Sequence, residues 1–208
     1  MKRIINYIDL GVHYGEEIDL LLEQYIPYQD LYELNIYGIE ANPIISNALL
    51  EKYTEYSDIV QIFNYAIYNK NNEEVNLYLT PNTQLGSSLY PTKKNTTEQY
   101  IKTPSIKLSS LIKNHIKNFN NSINILKLNI EGAELLVYKD LIKNSLTDKF
   151  KIYCGHPSHD IEKIPELYSK REEYYNIIKE NGFELEYFCA DSLLNREKCI
   201  NMFKKIIL

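Results

Sequence analysis

The stretch Ile8-Asp9-Leu10-Gly11-Val12-His13-Tyr14-Gly15 decides the fold. It closes a short apolar run, residues 4–10, that ends on an acid and a glycine, as a buried strand does. Over residues 15–26 the period changes. Ile18, Leu21, Leu22 and Tyr25 fall on one helical face, while Glu16, Glu17, Asp19 and Glu23 fall elsewhere. A strand, a glycine turn and a helix in that order open a parallel α/β sheet. Gly11 and Gly15 let the backbone turn sharply and come close to a ligand.

The same stretch says something about the ligand. A dinucleotide fingerprint would read G-x-G-x-x-G, with a pyrophosphate at the helix N-terminus. Here His13 stands at the middle glycine and would crowd a pyrophosphate. Asp9, two residues before Gly11, is a poor neighbour for phosphate. It suits a cationic group better, such as the amino-acid part of S-adenosylmethionine (SAM). An ordinary strand-to-helix turn is the competing reading of the glycines.

Working outward, strands and helices alternate. Residues 35–40 read as a second strand. Asn42 and Pro43 are an N-cap and a first helical residue, and Ile44, Ile45, Ala48 and Leu49 form the apolar stripe that follows. Residues 58–65, 74–79, 123–129, 149–154 and 183–188 read as strands. Residues 108–117, 133–143 and 161–181 read as helices, the last being the longest and ending at Gly182. Residues 199–208 fit a final strand or a short helix. Residues 82–97, rich in Ser, Thr and Asn, read as a loop over one sheet edge. The alternation predicts a mostly parallel sheet with helices on both faces and a single domain over residues 1–208. Function in such sheets lies beyond the carboxyl ends of the strands, near the point where strand order reverses.

Composition narrows the class. With 44% hydrophobic and 25% charged residues, the chain is an ordinary globular one rather than a disordered one. A net charge of -5 without a basic run tilts against a nucleic-acid partner. Cys154, Cys189 and Cys199 are scattered and form no C-x-x-C pair, as expected of reduced thiols in a cytoplasmic protein without a zinc site. No apolar run reaches the roughly 18 residues of a membrane span, and the first residues turn polar too soon for a signal peptide.

The second strand ends Tyr37-Gly38-Ile39-Glu40-Ala41-Asn42-Pro43. A carboxylate at that place can accept both ribose hydroxyls of a nucleoside. A helix-capping carboxylate without a ligand is the plainer reading, and acids at two consecutive strand ends count against it. Two further blocks follow, Asn64-Tyr65-Ala66-Ile67 and Leu126-Lys127-Leu128-Asn129-Ile130-Glu131-Gly132-Ala133-Glu134. With these blocks the chain resembles the FkbM family of methyltransferases over about residues 4–142. The resemblance implies a Rossmann-like class I methyltransferase fold with a seven-stranded sheet. It also implies SAM as donor and O-methylation of a sugar, glycan or small hydroxylated metabolite. It places Asp9, Gly11 and Gly15 around the methionine part of SAM, with His13 in the same loop. It puts Glu40 and Ala41 at the ribose, and Asn64 and Ala66 near the adenine. The family carries an aspartate where this chain has Asn129, which keeps a hydrogen-bonding oxygen and loses the charge.

Methyl transfer to a hydroxyl is an in-line displacement, helped by positioning and by a general base. Of His13, His115, His156 and His159, His156 follows the fifth strand of the alternation in Gly155-His156-Pro157-Ser158-His159-Asp160, where an acceptor should arrive. His156 is the expected base or orienting group, with Glu131 and Asn129 nearby; a solvated loop histidine is the competing reading. Asn129, Glu131, His156 and Asp160 could also converge on a divalent ion, although no spacing motif requires one. Gly86-Ser87-Ser88 could offer hydrogen bonds to a polyol acceptor. Three other readings stay open: a catalytically silent SAM- or nucleotide-binding module, an RNA methyltransferase, and a nicotinamide oxidoreductase. The missing middle glycine and Asp9 count against the last.

Overall fold

The structure is a computed structural model that describes residues 2–81, 86–155, 160–183, 185–187 and 193–207. Its centre is a parallel sheet of β1 (Arg3–Leu10), β2 (Tyr32–Glu40), β3 (Val60–Asn64), β7 (Ile123–Leu128), β8 (Ile152–Gly155) and β9 (Leu185–Tyr187), in the order β3-β2-β1-β7-β8-β9. Six strands pair in this sheet among the described residues, where seven were expected. Three more form a separate small sheet: β4 (Ala66–Ile67), β5 (Glu74–Tyr78) and β6 (Tyr100–Ile106), with β6 in the middle. The chain winds one way from β1 to β3 and the other way from β7 to β9. The reversal therefore lies between β1 and β7, and the crevice beyond their carboxyl ends is the ligand position of such a sheet.

Alternation along the strands sends side chains to two cores. Ile8, Leu10, Tyr37, Ile39, Leu126 and Leu128 pack under α3 (Leu108–His115), α4 (Glu134–Lys143) and α7 (Arg171–Asn181). Ile5, Tyr7, Leu34, Ile36 and Ile125 pack under α1 (Glu16–Tyr25), α2 (Pro43–Lys52) and α8 (Leu193–Ile207). Helices thus cover both faces, as the sequence pattern predicts.

Two elements differ from expectation. Residues 161–181 are three helices, α5 (Asp160–Lys163), α6 (Pro165–Tyr168) and α7; Pro165 removes an N–H and separates the first two, starting α6 at its first turn. Among the described residues the longest helix is instead α8, which settles the choice for residues 199–207 in favour of helix. Strand β6 was not foreseen; its Pro104 argues against an interior strand. Gly182 closes α7 in the left-handed conformation, as expected.

Candidate active site

The site is built from the ends of β1, β2 and β7. Leaving β1, Gly11 adopts φ +84 and donates its N–H to the Ile39 carbonyl at 2.9 Å. Asn129, leaving β7, donates its N–H to the Leu10 carbonyl at 3.0 Å. The two chains run so close that a Cβ on Gly11 would stand 2.0 Å from the Asn129 carbonyl oxygen. His13 follows at φ +56 and donates its N–H to Glu40 Oε2 at 3.0 Å. Gly15 ends the turn as the N-cap of α1, its carbonyl accepting the Tyr53 hydroxyl at 2.9 Å.

Glu40 is the hinge of the arrangement. Its other oxygen accepts the Asn42 N–H at 2.8 Å, so one buried carboxylate ties the β1 turn to the start of α2. Burial pushes this carboxyl up, and the two N–H donors act against that shift. Asn42 caps α2 as expected, accepting the Ile44 N–H at 3.0 Å. From the end of β3, Asn64 donates its amide to the Glu40 and Ala41 carbonyls at 2.9 and 3.0 Å. Asn64 thus fixes the turn from behind.

A cavity of about 100 Å³ opens beside these residues. One side is Gly11, His13, Glu40, Ala41 and Asn42. Its apolar part is Ile39, Ile45, Tyr65, Ala66, Ile67 and Leu77. Gly86, Ser87, Leu89, Asn129, Ile130, Glu131 and Ala133 complete the lining, with Asn129 against Gly11. The His13 ring Nε2 is buried without a hydrogen-bond partner among the described residues, while Nδ1 meets Glu16 at 3.1 Å.

Of the residues singled out from sequence, Gly11, His13, Glu40, Ala41, Ala66, Asn129 and Glu131 line this cavity. Asp9, Gly15 and Asn64 stand behind it. His156 and His159 lie outside the described residues, as do residues 82–85. The cation that Asp9 meets belongs to this chain. Asp9 is fully buried and pairs with Lys127 Nζ at 2.8 Å, the residue directly across from it on β7. Lys127 also donates to the Gly11 carbonyl at 2.7 Å, so the pair holds the glycine turn in place. Alternation carries the signal for this: Asp9 has the parity of Ile5 and Tyr7, which face the α1 side.

Sequence reasoning also missed the supports of the loop after β7. Glu134, buried at the start of α4, accepts the N–H of Ile130 at 3.0 Å and of Gly132 at 2.9 Å. Ser88 donates its hydroxyl to the Glu131 carbonyl at 2.7 Å, and the Lys93 ammonium pairs with the Glu131 carboxylate. Glu131 itself sits at φ +57, which its neighbours must hold in place.

Among the described residues no group of three or more His, Cys, Asp or Glu side chains could hold a metal ion, and no helix is long and apolar enough to cross a membrane. Comparison with curated proteins and with solved structures gives no match. The family model described as the methyltransferase FkbM domain matches residues 9–185, a span running from the buried acid of β1 through every cavity-lining residue to β9. A doubly wound sheet, a cavity at its reversal point and this match over most of the chain agree, and the protein belongs to the FkbM methyltransferase family.

Proposed function

We propose that this methyltransferase uses SAM as donor and methylates a hydroxyl of a sugar, glycan or small hydroxylated metabolite. The observation that carries the donor assignment is Glu40: a buried carboxylate at the end of β2 that edges the cavity while two backbone N–H groups hold it. A carboxylate has about four acceptor positions, so capacity remains for the two hydroxyls of a ribose. Gly11 lines the same cavity and has no side chain to occupy it. Ile45, Tyr65, Ala66, Ile67 and Leu77 offer an apolar slot suited to a purine. The orphaned His13 Nε2 suits a polar ligand group. When bound, SAM supplies a sulfonium methyl for in-line transfer.

The chain's own residues then have distinct tasks. Glu40 binds and orients the nucleoside. The Asp9–Lys127 pair fixes the Gly11 turn, and Gly11 and His13 shape the approach to the methionine part. Asn129, without the family's carboxylate charge, orients the acceptor hydroxyl by hydrogen bonding. His156 is the proton acceptor in this reading, because a base near neutral pH helps when the acceptor is an ordinary alcohol. A second reading, a silent SAM-binding module, is favoured by Asn129 standing where the family has its aspartate.

Calorimetric titration of SAM into the wild type and into Glu40→Ala tests the assignment. Micromolar affinity, about 8 kcal/mol, that collapses in the variant is the expected result. Wild-type protein that binds no SAM would overturn it. Methyl consumption across a panel of sugars and polyols then separates the enzyme from the silent module, and His156→Ala should lower turnover far more than SAM affinity.

A further inference from the structure

We propose that residues 86–97 form the closing wall of the cofactor cavity and that Lys93 is the positioning residue that fixes this wall on Glu131. The inference rests on the SAM reading above. Gly86, Ser87 and Leu89 line the same cavity as Gly11 and Glu40, so this segment borders the donor site. It has little regular structure of its own. One attachment is a two-way backbone pairing of Ser88 with Tyr78, at 2.8 and 3.0 Å. Another is the Ser88 hydroxyl on the Glu131 carbonyl.

Lys93 adds the charged attachment. Its side chain is wholly enclosed, although lysine is among the residues least often buried. The ammonium donates to the Gly86 carbonyl at 2.8 Å, which folds the segment back on itself, and it pairs with the Glu131 carboxylate. A buried ammonium is tolerated only against such partners. The segment therefore closes where Lys93 meets Glu131 and loosens where it does not.

Hydrogen exchange and calorimetry with S-adenosylhomocysteine, on the full chain of the wild type and Lys93→Met, test the proposal. The amides of residues 86–90 should exchange about tenfold faster in the variant, and its affinity should fall about tenfold or more. Glu131→Gln should act alike, and the double variant should be no weaker than the weaker single, because both break the same ion pair. Additive losses, unchanged exchange, or an affinity within about twofold of wild type would overturn it. Should the charge variants fail to fold, Ser88→Ala keeps the ion pair and removes the neutral attachment. It should speed exchange of the same amides, and unchanged exchange would again overturn the wall. If the wild type does not bind S-adenosylhomocysteine, the cofactor reading falls, and exchange alone judges the Lys93 attachment by the same criterion.

Discussion

Asp9 and Lys127 face each other across β1 and β7 with almost no exposure to water. Burial pushes the Asp9 carboxyl up to about 6, even with Lys127 beside it. Burial alone would lower Lys127, but Asp9 and Glu17 outweigh it and raise its ammonium above the ordinary value. Relative to an unfolded value of about 4, folded Asp9 keeps its proton to a higher pH, so its contribution to stability is present in acid and is lost as pH rises through about 6. Lys127 contributes fully below its ordinary value and loses that contribution only as strong alkali removes its proton. Urea unfolding of wild type and Asp9→Asn at about pH 4.5 and about pH 7 should show this loss in the wild type and not in the variant. Equal pH slopes would mean that the carboxyl is not raised. Lys127→Met strands the acid and should lose about 3–5 kcal/mol at neutral pH. Gly11 is the other exacting residue. Gly11→Ala forces a Cβ onto a backbone oxygen at 2.0 Å and φ +84, and about 3 kcal/mol should be lost. Gly182→Ala is also at positive φ but meets open space, so its melt should show only the roughly 1–2 kcal/mol of left-handed strain.

Among the elements, β2, β1 and β7 are pinned together by a buried row of asparagines. Asn6 stands opposite Asn35 and Asn124. Asn35 donates to Asn6 at 3.2 Å, Asn6 to Asn124 at 3.0 Å, and Asn124 to the Phe119 and Lys149 carbonyls. A slip of one residue would turn each amide to the other face, so the row fixes register at the end of the sheet away from the site. Asn6→Leu leaves Asn35, Asn124 and the Lys117 carbonyl short of a partner and should cost about 2–5 kcal/mol in denaturant melts. The strands around this row were legible as short continuous apolar runs, and the helices by their period of 3.6. Strand β6 was not, since Tyr100-Ile101-Lys102-Thr103-Pro104 alternates weakly and contains a proline, and only pairing with β4 and β5 makes it a strand. Pro165 announced a break in the long helix, and the apolar period running past it hid that break. In the site, Gly11, Glu40 and Asn129 were readable as strand ends. Lys93 was not: a lysine within Pro91-Thr92-Lys93-Lys94-Asn95 looks solvated until the fold brings Glu131 to it. The Lys127 partner of Asp9 was not foreseen, although the parity that Asp9 shares with Ile5 and Tyr7 carries the signal.

At the scale of the molecule, the family match stops at residue 185 while the core does not. Helix α8 lies beyond the match, yet Cys199, Met202 and Phe203 are buried in the same cluster as Ile5, Tyr7, Ile18 and Leu22. The Phe203 ring meets Tyr7 edge-on at 5.9 Å, and Arg196 pairs with Glu23 of α1 at 2.7 Å. Tyr7 in turn donates to Asp9 at 3.4 Å, so α8 covers the layer that holds the Asp9–Lys127 pair and, through it, the Gly11 turn. A parallel sheet needs both faces covered, and α1 and α2 alone leave the β1–β7–β8 side open. Phe203→Ala should therefore lose about 3–5 kcal/mol, as a fully buried aromatic does. Leu31→Ala, at a residue 62% exposed, should stay within about 0.5 kcal/mol. Both are read from denaturant midpoints. Removing residues 193–208 exposes Tyr7 and Ile18 to water and should leave a chain that melts far below the full one, although every cavity-lining residue is still present. A truncated chain that melts like the full one would mean that the matched segment stands on its own and that α8 only decorates it.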